Sequence, residues 1–251
     1  MVDLKALRLK NITLAKKLVR ESVSPDLFII NAVNNVEDLQ RVQNSLGKRL
    51  REWYSLYFPE LDKRISNNEE YISHLLKGDK AALLKEFNVS DGMGADLKGP
   101  ELDEIKELAT SIRSLYDEER RLVGYLEKTM KEYCPNTAAV AGGLIGAKLL
   151  RGAGSLKKLA MMRSSTIQLI GAEKALFRHI RTGARPPKYG YLLQHLLVQK
   201  AGKDTRGKIA RALADKIFIA ARIDYFKGEF KGDELLKEVE VKLENENRKT
   251  Q

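Results

Sequence analysis

The chain has 251 residues, with 45 lysines and arginines against 34 aspartates and glutamates, a net charge of +11, and 43% hydrophobic residues. That leaves room for one large domain or two small ones with real cores, and a charged content of 31% excludes both wholesale disorder and a membrane-embedded class. The uncharged stretch around Thr137–Ala147 is too short to span a bilayer, and with no charged-then-apolar pattern in the first residues no secretory signal is expected. A single cysteine, Cys134, permits neither an internal disulfide nor a cysteine-cluster zinc site, so a reducing intracellular compartment is expected.

In chain order, apolar residues at helical spacing predict a first helix over Leu4 to Val23, broken by Ser24-Pro25-Asp26. Leu27 to Ala32 begins the next helix. Val36, Leu39, Gln43, Leu46, Leu50, Trp53 and Tyr57 then follow a strict 3-then-4 rhythm, a coiled-coil seam with one polar member. Helix resumes after Phe58-Pro59-Glu60 through Leu61 to Leu76, with a short piece over Ala81–Phe87. The glycine-bearing run Asn88–Pro100 reads as a loop at the tip of a hairpin. A second seam follows at Leu102, Ile105, Ala109, Ile112, Tyr116, Glu119, Val123, Leu126 and Met130. The two seams suit an antiparallel hairpin within one chain or a coiled coil joining two chains. Beyond Tyr133 the composition shifts to alanine and glycine. Short helices are expected over Ser155–Met162, Ser164–Arg181, Leu192–Gln199, Thr205–Lys227 and Asp233–Glu244, before a fraying tail from Asn245.

The charge is concentrated. Residues Lys148 to Lys231 carry 19 Lys/Arg against 5 Asp/Glu, a net +14, while the other 167 residues sum to −3. Such a segment attracts polyanions over long range, and counterion release adds to binding. Thr205–Lys227 is its most informative helix. Ile209, Leu213, Ile217, Ala220 and Ala221 form a core-facing stripe, and Arg206, Lys208, Arg211, Lys216 and Arg222 flank it, suited to phosphate. Lys203-Asp204-Thr205 before it offers a helix N-terminus, also an anion site.

Other chemistry is not indicated. The segment AGGLIGAK lacks the hydroxyl of a phosphate loop, since Leu149 follows Lys148, and small residues at Gly142 and Gly146 instead suit close helix packing. His74, His179 and His195 do not share a metal-ligand spacing. His74 reads as a surface residue, His179 as a helix-end residue, and His195 as either a base-stacking or a core residue. No nucleophile motif or paired carboxylate stands out, and no cofactor or metal is expected.

Several blocks resemble the Nop-domain family. Ile170-Gly171-Ala172-Glu173-Lys174-Ala175-Leu176-Phe177-Arg178-His179 is similar to its signature. Pro187-Lys188-Tyr189-Gly190, Arg206–Lys216 and Ala220–Asp224 match its later blocks, and Arg49–Leu61 resembles its coiled-coil domain. The likeness is greatest to archaeal scaffold proteins of the box C/D small ribonucleoprotein, kin of nucleolar and spliceosomal Nop proteins. It implies an all-α fold, a long antiparallel coiled-coil hairpin followed by a compact helical Nop domain. The boundaries expected are 1–24 for a linker helix, 25–133 for the coiled coil, 134–244 for the Nop domain and 245–251 for the tail.

The resemblance further implies a non-catalytic scaffold that binds kink-turn RNA together with a ribosomal-type kink-turn-binding protein. It would form a homodimer through the coiled coil and support RNA-guided 2′-O-methylation in an archaeal cytoplasm, or in the nucleolus for eukaryotic relatives. The implied RNA contacts are Lys188, Gln194, His195, Lys203, Arg206, Lys208, Arg211 and Arg222, with either Gln194 or His195 approaching a base. Glu173, Lys174 and Arg178 would meet the protein partner or the RNA, and Leu46, Leu50, Trp53, Ile112, Tyr116 and Val123 would serve dimerisation. In the family a separate N-terminal domain recruits the methyltransferase fibrillarin. The first 24 residues here resemble only the linker helix after that domain, so fibrillarin recruitment is expected to be lost. The rival reading is a coiled-coil adaptor whose basic domain meets RNA generically or an acidic protein.

Overall fold

A computed structural model describes residues 4–78, 80–88, 92–97 and 99–248, and among these the regular structure is entirely helical. Fourteen α-helices occur among the described residues: α1 (Leu4–Glu21), α2 (Pro25–Tyr54), α3 (Pro59–Arg64), α4 (Asn68–Lys77), α5 (Lys80–Glu86), α6 (Pro100–Tyr133), α7 (Pro135–Ala141), α8 (Gly143–Ala153), α9 (Leu156–Met161), α10 (Ser164–Leu169), α11 (Glu173–Thr182), α12 (Leu196–Lys200), α13 (Arg206–Tyr225) and α14 (Gly232–Arg248). A 3₁₀ turn spans Tyr191–Gln194. The chain divides into two compact units, one of residues 34–124 and one of residues 1–33 with 125–251. Parts of the loop expected over Asn88–Pro100, and the last three residues of the tail, lie outside the described residues.

In the unit 34–124 the two seams pair within the chain. Gln43, the polar seam member, is buried and donates from Nε2 to the Leu115 carbonyl at 3.1 Å, and Gln40 Nε2 donates to Glu119 Oε1 at 2.6 Å. Two side-chain amides thus satisfy the polar seam positions and hold the register. The core joins Leu50, Tyr54, Phe58, Leu61, Tyr71, Ile72, Leu75 and Leu83 to Ile105, Ala109 and Ile112. The strict rhythm fails at its end: Trp53 is 40% exposed while Tyr54 is 1% exposed. An α-helix turns every 3.6 residues and drifts off a 3.5-residue repeat, so the core face passes from the seam position to its neighbour. The helix expected across Leu61–Leu76 is interrupted after Arg64, because the Asn67 side chain caps α4 by accepting from the Glu69 and Glu70 amides at 2.8 and 3.2 Å. His74 is not a surface residue; its ring packs on Phe87 at 5.6 Å and its Nδ1 lies 3.4 Å from Glu86. Arg51 is clamped by Asn68 and Asp62, each at 2.7 Å, and lies 4.3 Å over the Tyr71 ring, so this motif residue is structural.

The second unit is built around α13, which packs against α7, α9, α10, α12 and α14. Ile209, Leu213, Ile217, Ala220 and Ala221 are all fully buried, as their spacing predicts. One carboxylate ties three elements together. Asp224 accepts from the Asn136 amide (3.0 Å) and side chain (2.9 Å), and from the Thr137 amide and hydroxyl (both 2.7 Å), while Asn136 Oδ1 accepts from the Lys231 amide at 2.6 Å. The end of α13 thereby caps the start of α7, and α7 in turn holds the entry to α14. Asp26 acts likewise, accepting from the Leu156 amide at 3.2 Å. Burial, with the Asp26 carboxylate next to it, pushes the Tyr133 phenol up.

The glycines act differently from the packing expected at Gly142. That residue has φ +79° and open space beside it, so it serves the turn between α7 and α8. Its neighbour Gly143 makes the close approach: a Cβ there would lie 2.9 Å from the Glu127 Cα. The helix expected over Ser164–Arg181 is cut in two at Gly171, whose φ is +90°. At the C-terminus α14 continues to Arg248 where fraying is expected, and Glu246 within that last turn pairs with Lys208 at 2.8 Å. α1 buries none of its residues.

Two mutations test this account of the fold. Asp224→Ala leaves four donors without their acceptor and should destabilise the protein by about 2–4 kcal/mol in denaturant melts. Leu50→Asp places a charge in the core of the 34–124 unit and should lower stability by about 3–5 kcal/mol, detectable as early loss of helical circular dichroism, whatever the oligomeric state.

Candidate nucleic-acid interface

With one face of α13 in the core, its other residues turn outward. Lys208 and Arg211, one turn apart, share a cleft of about 610 Å³ with Arg185, Pro186, Pro187 and Lys188 from the preceding loop and Lys242 from α14. Asp204 is the one carboxylate on the wall. Lys188 is fixed through its own carbonyl, which accepts from Gln168 Nε2 at 2.6 Å. Five cations from three elements thus surround one opening, an arrangement that concentrates positive potential.

The structure separates the other expected contacts. Arg206 is partly buried and turned back on the chain, donating to the Ala201 and Gln199 carbonyls at 3.1 and 3.4 Å. It fastens the turn between α12 and α13. Arg222 is exposed and lies 5.3 Å over the Phe218 ring, but about 24 Å along the helix from Arg206 at 1.5 Å per residue. Lys203 is exposed in the turn before α13. Lys216, a flanking residue, pairs with Glu238 of α14.

Gln194 and His195 have different surroundings. Gln194 is exposed, and its Oε1 accepts from Lys148 Nζ at 2.9 Å. His195 caps α12, with Nδ1 accepting from the Leu197 amide at 3.3 Å. Burial holds its pKa below the ordinary histidine value, opposed by a hydrogen bond with the Val140 backbone. Next to Gln194, Lys148 lies 5.7 Å from the Tyr191 ring, and the Arg151 guanidinium lies 5.6 Å from that ring and donates to its hydroxyl. This second group of cations around an aromatic was not singled out from sequence. Its available signal was Lys148 and Arg151 at i,i+3 on α8, just past the glycine-rich segment. Arg185 and Lys242 were missed as well, because only the fold brings the loop and α14 to α13.

α11 carries Glu173, Lys174 and Arg178, and none of its residues is buried. Glu173 accepts from the Gly171 amide at 2.7 Å, securing the turn into the helix. Lys174 and Arg178 are exposed beside Phe177 and Arg181, and Phe177 is 63% exposed. His179 closes the helix by bonding the Ala184 carbonyl through its ring. Of the residues assigned to dimerisation, Leu50 and Ile112 are fully buried within the chain, Leu46 and Tyr116 pack at the edge of the same core, Val123 is partly exposed, and Trp53 is the most exposed.

Cys134 is buried, and burial pushes its thiol up, which makes a poor nucleophile. Among the described residues no three metal-ligating side chains gather, and no helix is long and apolar enough to cross a membrane.

Comparison with known proteins gives a consistent likeness. The Nop family, described as "snoRNA binding domain, fibrillarin", matches residues 35–245. An uncharacterized NOP5 family protein of Methanocaldococcus jannaschii is 42% identical over 253 residues, covering 94% of this chain and 61% of that protein. Nucleolar protein 56 of Saccharomyces cerevisiae is 35% identical over 243 residues, 87% of this chain and 48% of its own length. The chain therefore spans about half to three fifths of the length of these relatives. Among solved structures, a fibrillarin/Nop5p complex aligns over 96% of this chain and 78% of the matched chain, at 24% identity and a TM-score of 0.58, a likeness of fold. On the extent of the family match and the identity to its archaeal relative, the chain belongs to the Nop family.

Proposed function

We propose that this chain is a non-catalytic scaffold of a box C/D guide ribonucleoprotein, binding kink-turn RNA jointly with a kink-turn-binding protein. The observation that carries the RNA reading is the cleft: five cations held on three elements around one opening, four of them in the segment that contains the whole positive excess of the chain. Phosphate contacts from Lys188, Lys208 and Arg211 supply affinity and position the RNA without reading its sequence. Family membership supports the choice of RNA, and of this class of ribonucleoprotein, over an acidic protein. Lys203 and Arg222 extend the basic surface, and Arg206 supports it from behind. Gln194, exposed beside Lys148 and Tyr191, is the better placed of the pair to approach a base, and His195 holds the turn that presents it. Glu173 shapes α11, and Lys174 and Arg178 face the protein partner or the RNA.

Dimerisation through the 34–124 unit is part of the same proposal. Leu50 and Ile112 support the hairpin, and Trp53 with its exposed neighbour Leu56 offers apolar surface to a second copy. Methyl transfer belongs to a partner enzyme.

The direct test is a gel-shift titration on a kink-turn RNA, with and without the kink-turn-binding protein, at two salt concentrations. Binding that tightens sharply with the partner supports composite recognition. Equal binding to a plain duplex, indifferent to the partner, supports the generic basic adaptor instead. Lys208→Glu combined with Arg211→Glu should weaken binding and flatten the plot of log K against log salt by about 0.7–0.9 per lost phosphate contact.

His195 and Gln194 should separate in their readouts. The folded state favours neutral His195, so its contribution to stability is present above the unfolded pKa of about 6.5 and is lost as pH falls through that value. Denaturant melts at pH 7.5 and 5 should show a larger acid loss for the unaltered protein than for His195→Asn, which keeps a capping acceptor. Gln194→Ala should leave that pH difference intact and weaken RNA binding.

A further inference from the structure

α14 is an acidic helix, with six Asp/Glu against three Lys/Arg over Gly232–Arg248. Its inner residues Leu235, Val239 and Leu243 are buried, and on composition alone its outer face would repel a polyanion. Two of its side chains nevertheless reach the basic surface with opposite signs. Lys242 is exposed and lines the cleft beside Lys188, Lys208 and Arg211, and Arg185 completes the wall from the loop. One turn further along, Glu246 is largely buried, with its side chain 13% exposed, and pairs with Lys208 at 2.8 Å. A cation that could meet phosphate is thus engaged by a carboxylate of the same chain.

We propose that α14 is a working part of the nucleic-acid surface: Lys242 and Arg185 complete, with Lys188, Lys208 and Arg211, a cleft that takes a backbone phosphate of RNA, and Glu246 is the carboxylate that this phosphate displaces from Lys208. The proposal rests on the RNA reading above and extends it to a helix and a loop outside the blocks that carry the basic segment's sequence signal. The wall favours a phosphate chain over an acidic protein. Five of its ten lining residues are lysine or arginine against the single carboxylate of Asp204, whereas the centre of a protein interface is depleted of lysine. Arginine forks and lysine ammonium groups on three separate elements suit an anion entering from solvent. The Lys208 ammonium is exposed and the Glu246 carboxylate largely buried, so the lysine can swing to RNA while Glu246 stays in place, at a desolvation cost that the phosphate contact has to exceed.

The test uses the full chain with the kink-turn-binding protein and kink-turn RNA, titrated across salt. Lys242→Glu and Arg185→Glu should each lower affinity and reduce the salt slope by about one contact, 0.7–0.9 in log–log units. Lys242→Arg should restore both. Glu246→Gln removes the charge that competes for Lys208 and should raise affinity by at least about two-fold. Lys237→Glu, the same charge change on α14 but off the cleft wall, controls for net charge and should have the smallest effect. Thermal melts confirm that each variant is folded. If the Lys242 and Arg185 variants titrate like Lys237→Glu, or Glu246→Gln does not tighten binding, the cleft assignment is wrong even though the protein binds RNA. If inorganic phosphate at micromolar concentration or poly-glutamate displaces the RNA at matched ionic strength, the cleft belongs to a small anion or an acidic protein. If the unaltered protein fails to bind the RNA in every condition, the functional reading falls, and this proposal with it.

Discussion

The carboxylate of Asp224 gathers four hydrogen bonds from two consecutive residues at the start of α7, and one of those residues passes the connection on to the backbone before α14. Asn136 and Thr137 are almost fully buried, so their polar groups need partners inside the protein, and Asp224 supplies them. The consequence reaches beyond local stability. The arrangement fixes where α13 ends relative to α7 and where α14 begins, and α14 then runs back along α13. Were α14 free to shift, neither Lys242 nor Glu246 would have a defined place beside Lys208.

α13 carries both the fold and the proposed RNA surface, and its composition explains how. The buried face is made of alanine and aliphatic residues, including Ala210, Ala214, Ala220 and Ala221, so neighbouring helices approach closely and the helix is held on several sides. The cations are attached to a helix packed against several neighbours, which would reduce the entropy lost on meeting a phosphate. Not every cation on the helix has that role. Arg206 binds carbonyls of the preceding turn, Lys216 and Lys208 engage carboxylates of α14, and Arg211 is left facing the cleft. Basic charge on a helix is therefore a population of side chains with different jobs, and only the tertiary fold separates them.

Much of this was legible in the sequence because helical periodicity is a local property. The two seams, the break at Pro25, the apolar stripe of α13 and the concentration of charge between Lys148 and Lys231 all follow from spacing and counting. The failures have physical causes. Trp53 and Tyr54 exchanged roles because a 3.5-residue rhythm does not persist in a 3.6-residue helix. The break at Gly171 was invisible because glycine is tolerated in helices, and only its positive φ makes it a turn. Gly142 and Gly143 divide turning and packing between them, which composition cannot show. The cleft was half visible: Lys188, Lys208 and Arg211 stood in recognisable blocks, whereas Arg185 and Lys242 required the tertiary fold. In sequence Lys148 stands only as a mismatch to a phosphate loop, and its neighbours in the fold, Gln194 and Tyr191, are more than forty positions away.

On the proposed function, one basic unit, arranged around α13, meets RNA, and the 34–124 unit serves a different purpose. Amide hydrogen exchange on the full chain, alone and in complex with kink-turn RNA and the kink-turn-binding protein, tests it most directly. New protection is expected over residues 183–195, the start of α13 and the last turns of α14, with the hairpin core unchanged. Protection confined to residues 34–124, with the cleft segments exchanging as in the free protein, would contradict it.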